Sequence, residues 1–402
     1  MKKTLIAAAV AVLLALACMT PMFAGTYDDQ FANLNFNTLA TMDGSDPATN
    51  QMRGFTGDPA GAYVLGSTLQ SDAKGIYRFD ANTGANTGFW IDEKISFIKG
   101  EAVDDRGYIY VGITTPENTD AVEFAVLDAD MKQIYIETIA AFTGEKVGVN
   151  GTAVARIGDA YKMYFVTNYG PNFIYCYDVT DPKAPKADTA FGDNGRADIK
   201  KLLGGEAEGQ YVAVDTDGTV YLTALVDGVN SKGDTIAKIS ADGKSVISTG
   251  KFDECYGVWL KDDYVLMSTY ANEESCVIVA NKADFSEVAR IGQMPDSSNY
   301  SGVCLINDRV YIADQGYNGG DRILVSDKIT IPVIEVEAPA EETPAEPAAD
   351  VPAAAVAEEA PVAQAAPAAP APAAQTGDIT AVAVLALVAS IGCAAVTGKK
   401  KN

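Results

Sequence analysis

The chain has 402 residues, 30 Lys+Arg against 54 Asp+Glu, a formal net charge of −24 and no histidine. The missing histidine excludes Ser-His-Asp and Cys-His catalysis, His-ligated zinc and an imidazole proton shuttle. The acidic balance excludes a nucleic-acid binder, which needs a basic face to neutralise phosphates, and a chain that is 48% apolar and 21% charged is not a disordered one.

In chain order, Met1–Ala24 reads as a secretory signal peptide. Lys2 and Lys3 make the basic head, Leu5–Cys18 the apolar run, and Met22-Phe23-Ala24 ends on a small residue before Gly25. Lipidation at Cys18 is the alternative, since Ala15-Leu16-Ala17-Cys18 loosely resembles a bacterial lipobox. Residues 25–52 form an N-terminal segment ahead of a repeating body at 53–336.

Six units of that body open with a glycine at the head of a short apolar run: Gly54, Gly100, Gly151, Gly209, Gly257 and Gly302. A turn and a β-rich second strand follow each, at Tyr63–Leu69, Tyr108–Thr114, Lys162–Tyr169, Thr219–Val226, Tyr264–Tyr270 and Arg309–Asp314. Third strands are expected at Gly75–Asp80, Glu123–Asp128, Phe173–Val179, Thr235–Ser240, Ser275–Ala280 and Arg322–Ser326. Weaker fourth strands are expected in some units, at Gln133–Ile139, Ser245–Ser248 and Ile329–Val336. Apolar residues at helical spacing are scarce, while β-branched and aromatic residues fill the runs. Short strands recurring in this way predict an all-β, six-bladed β-propeller, with a two-sheet sandwich as the runner-up. The glycines belong where six inner strands crowd the axis.

Two turns carry a shared motif. Ala102-Val103-Asp104-Asp105-Arg106-Gly107-Tyr108 and Ala213-Val214-Asp215-Thr216-Asp217-Gly218-Thr219 both resemble the hairpin of NHL-type and gluconolactonase-type six-bladed propellers. Met163–Pro182 resembles the YVTN type of propeller repeat. These resemblances imply the fold; the fold itself hosts hydrolases, lyases, receptors and scaffolds.

The residues just before the repeat glycines, Arg53, Lys99, Asn150, Glu208, Tyr256 and Ser301, are expected to ring one mouth of the central channel. Glu101 and Gln210 follow two of those glycines. The gluconolactonase resemblance implies a calcium ion on the axis, for which Glu101, Asn150, Glu208 and Asn299 are the candidate oxygen ligands. Arg53 and Lys99 in the same ring oppose a divalent cation, so a metal-free polar ring is the favoured expectation and no catalytic residue is assigned. A quinone-dependent dehydrogenase would want a tryptophan in every blade, and the chain has only Trp90 and Trp259. Cys176, Cys255, Cys276 and Cys304 allow three pairings, with buried free thiols as the ordinary outcome.

Residues 337–378 form an Ala/Pro/Glu-rich linker. Its first 40 residues hold 18 Ala and 8 Pro and no aromatic, a composition that favours an extended stalk over a packed core. Gln375-Thr376-Gly377-Asp378, the 19 uncharged residues Ile379–Thr397 and the basic tail at 398–402 together resemble a Gram-positive cell-wall sorting signal, with Ala373 and Ala374 where that pattern has Leu and Pro. The uncharged run is long enough for one transmembrane helix, and the lysines after it place the tail on the cytoplasmic side. Between these ends 25 basic residues face 54 acidic ones, a net −29 on the exported part.

The expectation is a membrane-anchored cell-surface propeller that binds or displays an extracellular protein, glycan or peptide. Its rivals are a metal-dependent lactone or ester hydrolase and an envelope-assembly scaffold. No nucleic-acid partner is expected.

Overall fold

The computed structural model describes residues 30–42, 52–68, 74–92, 97–114, 122–139, 148–168, 172–205, 207–225, 235–271, 274–297, 299–316 and 321–329. The expected signal peptide, linker, membrane span and basic tail lie outside them. Among the described residues no helix is long and apolar enough to cross a membrane.

The short β-rich runs fold as antiparallel sheets. The first strand in the chain is β1 (Phe36–Met42). Blade one then runs β2 (Met52–Gly57), β3 (Tyr63–Thr68), β4 (Gly75–Asp80) and β5 (Asn86–Ile91), and blade two β6 (Phe97–Val103), β7 (Ile109–Thr114), β8 (Val122–Leu127) and β9 (Gln133–Ile139). Blade three has β10 (Gly148–Ile157), β11 (Ala160–Asn168) and β12 (Phe173–Asp178), edged by two short strands, β13 (Lys186–Ala187) and β14 (Arg196–Asp198). A helical turn, α1 (Ile199–Leu203), leads on; the Asp198 carboxylate accepts from Lys201 N–H, and Gly204, with φ +79°, ends it. This insertion accounts for the longest repeat spacing. Blade four is β15 (Glu208–Val214), β16 (Val220–Leu225), β17 (Thr235–Ile239) and β18 (Val246–Lys251), and blade five is β19 (Cys255–Lys261), β20 (Tyr264–Thr269), β21 (Val277–Asn281) and β22 (Glu287–Ile291). Blade six has β23 (Asn299–Ile306), β24 (Arg309–Gln315) and β25 (Asp321–Ser326), with β1 as its fourth strand.

The last blade corrects the sequence reading. The expected fourth strand at Ile329–Val336 lies, Ile329 apart, outside the described residues, and residues 25–52 are not merely a leading segment. β1 pairs antiparallel with β25, Phe36 opposite Ser326 and Met42 opposite Asp321. Closure through the N-terminal strand covers an edge that would otherwise present unpaired backbone groups. Blade six is also tied to blade one by Asp321, whose carboxylate accepts from Met52 N–H at 2.6 Å.

The inner strands β2, β6, β10, β15, β19 and β23 each touch the next around the axis, and β23 closes on β2. Six apolar clusters fill the gaps between successive blades. Second strands are therefore buried on both faces, as in β7 and β20, while outer strands such as β18 alternate and are half exposed. Close approach explains the axial glycines. A Cβ on Gly100 would lie 2.1 Å from the Asn150 carbonyl oxygen, and one on Gly151 2.5 Å from Tyr211 Cα. The two Asp turns fold as the motif predicts. Asp104 Oδ1 accepts from Arg106 and Tyr108 N–H, Asp217 Oδ1 accepts from Thr219 N–H, and Gly107 and Gly218 take φ +85° and +88°.

Candidate functional site

Every inner strand carries an irregularity at one level. The pairing register shifts between Met52 and Gly54, Ile98 and Gly100, Val149 and Thr152, Gly209 and Tyr211, Cys255 and Val258, and Tyr300 and Gly302. The first residue displaced at each shift is Arg53, Lys99, Asn150, Gln210, Tyr256 and Ser301. An extra residue in one strand re-aims a side chain, and here it does so six times around the axis.

Five of these are residues expected in the ring. In blade four the member is Gln210, not Glu208, and Tyr211 stands at the inner-glycine position. Backbone bonds confirm the register: Tyr211 N–H donates to Thr223 Oγ1 at 3.1 Å, as Gly54 N–H does to Ser67 Oγ at 2.8 Å and Gly257 N–H to Ser268 Oγ at 2.9 Å. Gly209 instead faces the packed side chains Val166, Ile199 and Leu222. Nor is the ring a solvated mouth, because Asn150 and Ser301 are wholly buried and Lys99 and Tyr256 nearly so.

The Tyr211 side chain fills space the other blades leave to glycine. Its hydroxyl donates across the axis to the Arg53 carbonyl. Its ring lies 4.9 Å from that of Tyr256, Tyr256 lies 5.2 Å from Tyr270, and the Arg53 guanidinium sits 4.9 Å over Tyr270. Asn150 Nδ2 donates to Gly209 O at 3.1 Å and to Gln210 Oε1 at 3.2 Å. Blades one, three, four and five are thereby linked through a plug across the channel.

Beyond the plug, towards the inner hairpin turns, lies a cavity of about 220 Å³ to which all six inner strands contribute. The residues that line it include Phe55, Tyr211 and Trp259 among aliphatic ones, Thr56 and Thr152, and one acid, Glu101. Glu101 is 3% exposed, and its carboxylate oxygens are fully covered, Oε2 lying where a Cβ on Gly54 would stand 2.1 Å away. Burial pushes its carboxyl from 4.5 up to about 8, against a smaller opposite pull from the neighbouring Ser67 hydroxyl and amide. Ser67 Oγ accepts from Gly54 N–H, which leaves its O–H free to donate to the Glu101 carboxylate. Burial also pushes the Tyr211 phenol well above its ordinary value.

The structure does not assemble the expected calcium ligands at one level. Relative to the displaced residue of each strand, Glu208 and Asn299 lie two residues before, Asn150 on it and Glu101 two residues after. At about 3.3 Å rise per residue, Glu208 and Glu101 are stacked about 13 Å apart along the axis, too far to share an ion. Among the described residues no group of three or more acidic or cysteine side chains converges. Cys176, Cys255, Cys276 and Cys304 are free and buried.

No family model and no curated protein matches the chain. Solved structures similar to it include the PQQ-bound aldose sugar dehydrogenase of Streptomyces coelicolor (16% identity, 74% of this chain and 98% of that one, TM-score 0.49). The WD40 β-propeller domain of Doa1 is similar at 13% identity over 72% of this chain and 97% of that one, with TM-score 0.43. A Bacteroides caccae protein of unknown function is similar at 11% identity over 63% and 83%, also with TM-score 0.43. The propeller itself rests on the strand pairing above, and none of these likenesses bears on a ligand.

Proposed function

We propose that this propeller is an extracellular binding module, held at the cell surface by its C-terminal segment, that receives a small ligand or ligand group in the axial cavity. The observation that carries the reading is the cavity itself: six strands converge on a pocket that is blocked at its inner end. Concave, mostly apolar pockets with a few convergent polar groups are the usual form of a ligand site. The exposed large apolar side chains among the described residues, Phe89, Ile91, Ile136 and Ile247, stand on the outermost strands β5, β9 and β18, which favours the cavity over a propeller face. Among the described residues the hydrolase reading finds no convergent metal-ligand set. Anchoring is supported by the sequence of residues 379–402, and export by that of residues 1–24.

Two experiments test the two halves of the reading. Truncation from Ile379 onward should release the protein into the medium; retention on cells at the full-length level would contradict the anchor, provided Cys18 is not lipidated. A small-solute screen by thermal shift should find compounds that stabilise the wild type but not Val214→Trp, which narrows the cavity mouth. Stabilisation equal in both proteins, or in neither, would contradict the cavity as the binding element.

A further inference from the structure

On the reading that the axial cavity binds a ligand, we propose that the same cavity is the docking site of the chain's own segment 330–335, so that a ligand enters by displacing that segment. The chain leaves the propeller beside the cavity mouth. Ile329 is 2% exposed, belongs to the apolar cluster between blades five and six, and its N–H donates to the Asp308 carbonyl at 2.7 Å. Asp308 stands in the turn between β23 and β24, one of the inner hairpin turns on whose side the cavity lies. Its neighbour Asn307 donates from Nδ2 to the Gly61 carbonyl, and Gly61 is two residues from Pro59, which lines the cavity. One hairpin turn therefore separates Ile329 from the cavity lining.

The residues that follow are Thr330-Ile331-Pro332-Val333-Ile334-Glu335, which lie outside the described residues. Their chemistry differs from that of the linker after them. Ile331 to Ile334 is an unbroken apolar run with no charge, whereas residues 337–376 hold 18 Ala and 8 Pro and no aromatic. A chain passing from a folded body to a solvated stalk gains nothing from such a run in water, and burial of its aliphatic side chains is favourable. β-Branched residues favour extended chain, and at about 3.3 Å per residue six of them reach about 20 Å. Six sheets packed about 10 Å apart place their inner strands no more than about 10 Å from the axis. The segment is long enough to cross from the β23–β24 turn to the axis.

The cavity suits this occupant. Its volume of about 220 Å³ exceeds the roughly 150 Å³ of an apolar cavity that takes up benzene, which leaves room for two aliphatic side chains. Successive side chains of an extended chain alternate, so Ile331 and Val333 enter as a pair. At the mouth Val154, Val214, Trp259 and Leu260 are only partly buried and make an apolar collar. Trp259 packs against the clusters on both sides of blade six, the blade whose turn holds Ile329. Tethering favours the chain's own segment over a free peptide, because a short tether gives an effective concentration of order millimolar. The uncharged run also avoids the repulsion that an acidic partner meets from a chain of net charge −24. The segment is thus a tethered competitor of the ligand.

The test uses the full chain and reads Trp259 by acrylamide quenching of its fluorescence. Trp90, the other tryptophan, is buried and supplies a constant background. Ile331→Asp combined with Val333→Asp should raise the quenching constant about twofold or more, with the far-ultraviolet β signature unchanged. Ile331→Leu combined with Val333→Leu, which keeps the run apolar, should quench as the wild type does. Equal quenching of the wild type and the Asp variant would overturn the docking and leave the mouth to an external partner. Protection that is lost on dilution would assign the mouth to the segment of a second copy and would also overturn it. The solute screen separates this proposal from the cavity reading. A compound whose stabilisation is sensitive to Val214→Trp should shift the melting temperature of the Asp variant more than that of the wild type, and an equal shift would overturn the competition. No such compound for either protein would contradict the ligand reading, while the quenching comparison still decides the docking.

Discussion

Glu101 belongs to a layer whose other members, at the same register on the inner strands, are Phe55, Thr152, Val212, Val258 and Val303. A charge there has little to solvate it, and the consequence is a pH-dependent fold. The folded protein holds a proton on Glu101 up to about pH 8, whereas the unfolded chain releases it near pH 4.5. The stability contributed by the neutral carboxyl is therefore complete below pH 4.5 and is lost as pH rises through 8. Asp321, which burial pushes up to about 6, acts in the same direction over a lower window. Each pH unit separating the folded and unfolded titrations is worth about 1.4 kcal/mol, so the Glu101 contribution is a substantial fraction of a domain's stability. Thermal melts from pH 5 to 8.5 should show a falling midpoint for the wild type and a much flatter one for Glu101→Gln. Parallel curves for the two would mean that Glu101 is ionised in the fold. The acid is visible in the sequence beside Gly100, but its burial is not, because position +1 to an axial glycine can face either the channel or the blade. The blade-four register is legible by another route than the glycines. Counting back four residues from Asp104 gives Gly100, and four back from Asp215 gives Tyr211, so the two matching turns align Tyr211 with the glycines. The glycine at 209 is the stronger visual signal and the wrong one.

At the scale of elements, the sequence reading is most accurate where burial is greatest. β4 and β9 have the expected bounds, and the second strands differ from expectation by a few residues at most. Outer strands carry half-exposed patterns, such as that of β5, with little apolar signal, and neither β5 nor β22 is among the expected strands. β1 is the least legible, since its partner β25 lies almost 290 residues away and local periodicity carries no information about such a pairing. Its importance is nonetheless large, because it covers the one edge that the last blade would leave open. Deleting residues 30–42 should lower the melting temperature and produce concentration-dependent association, read by light scattering, as β25 becomes an exposed edge. A monomeric deletion variant with unchanged stability would show that closure does not depend on β1.

At the scale of the propeller, the six-fold arrangement makes a channel, and this sequence fills one part of it and leaves another part hollow. Tyr211, Arg53, Tyr256 and Tyr270 fill the first part; the second remains a cavity with one acid among its lining residues. That asymmetry is a property of single residues breaking a repeat, and this is why the fold can be read from the repeats while the site cannot. The central claim is that the Glu101 carboxyl is buried and proton-bearing at neutral pH. Carbon-13 NMR titration of glutamate carboxyls in the full chain, with Glu101→Gln to assign the signal, tests it most directly. The account predicts one glutamate titrating near pH 8. A Glu101 signal that titrates with the surface carboxylates would contradict it.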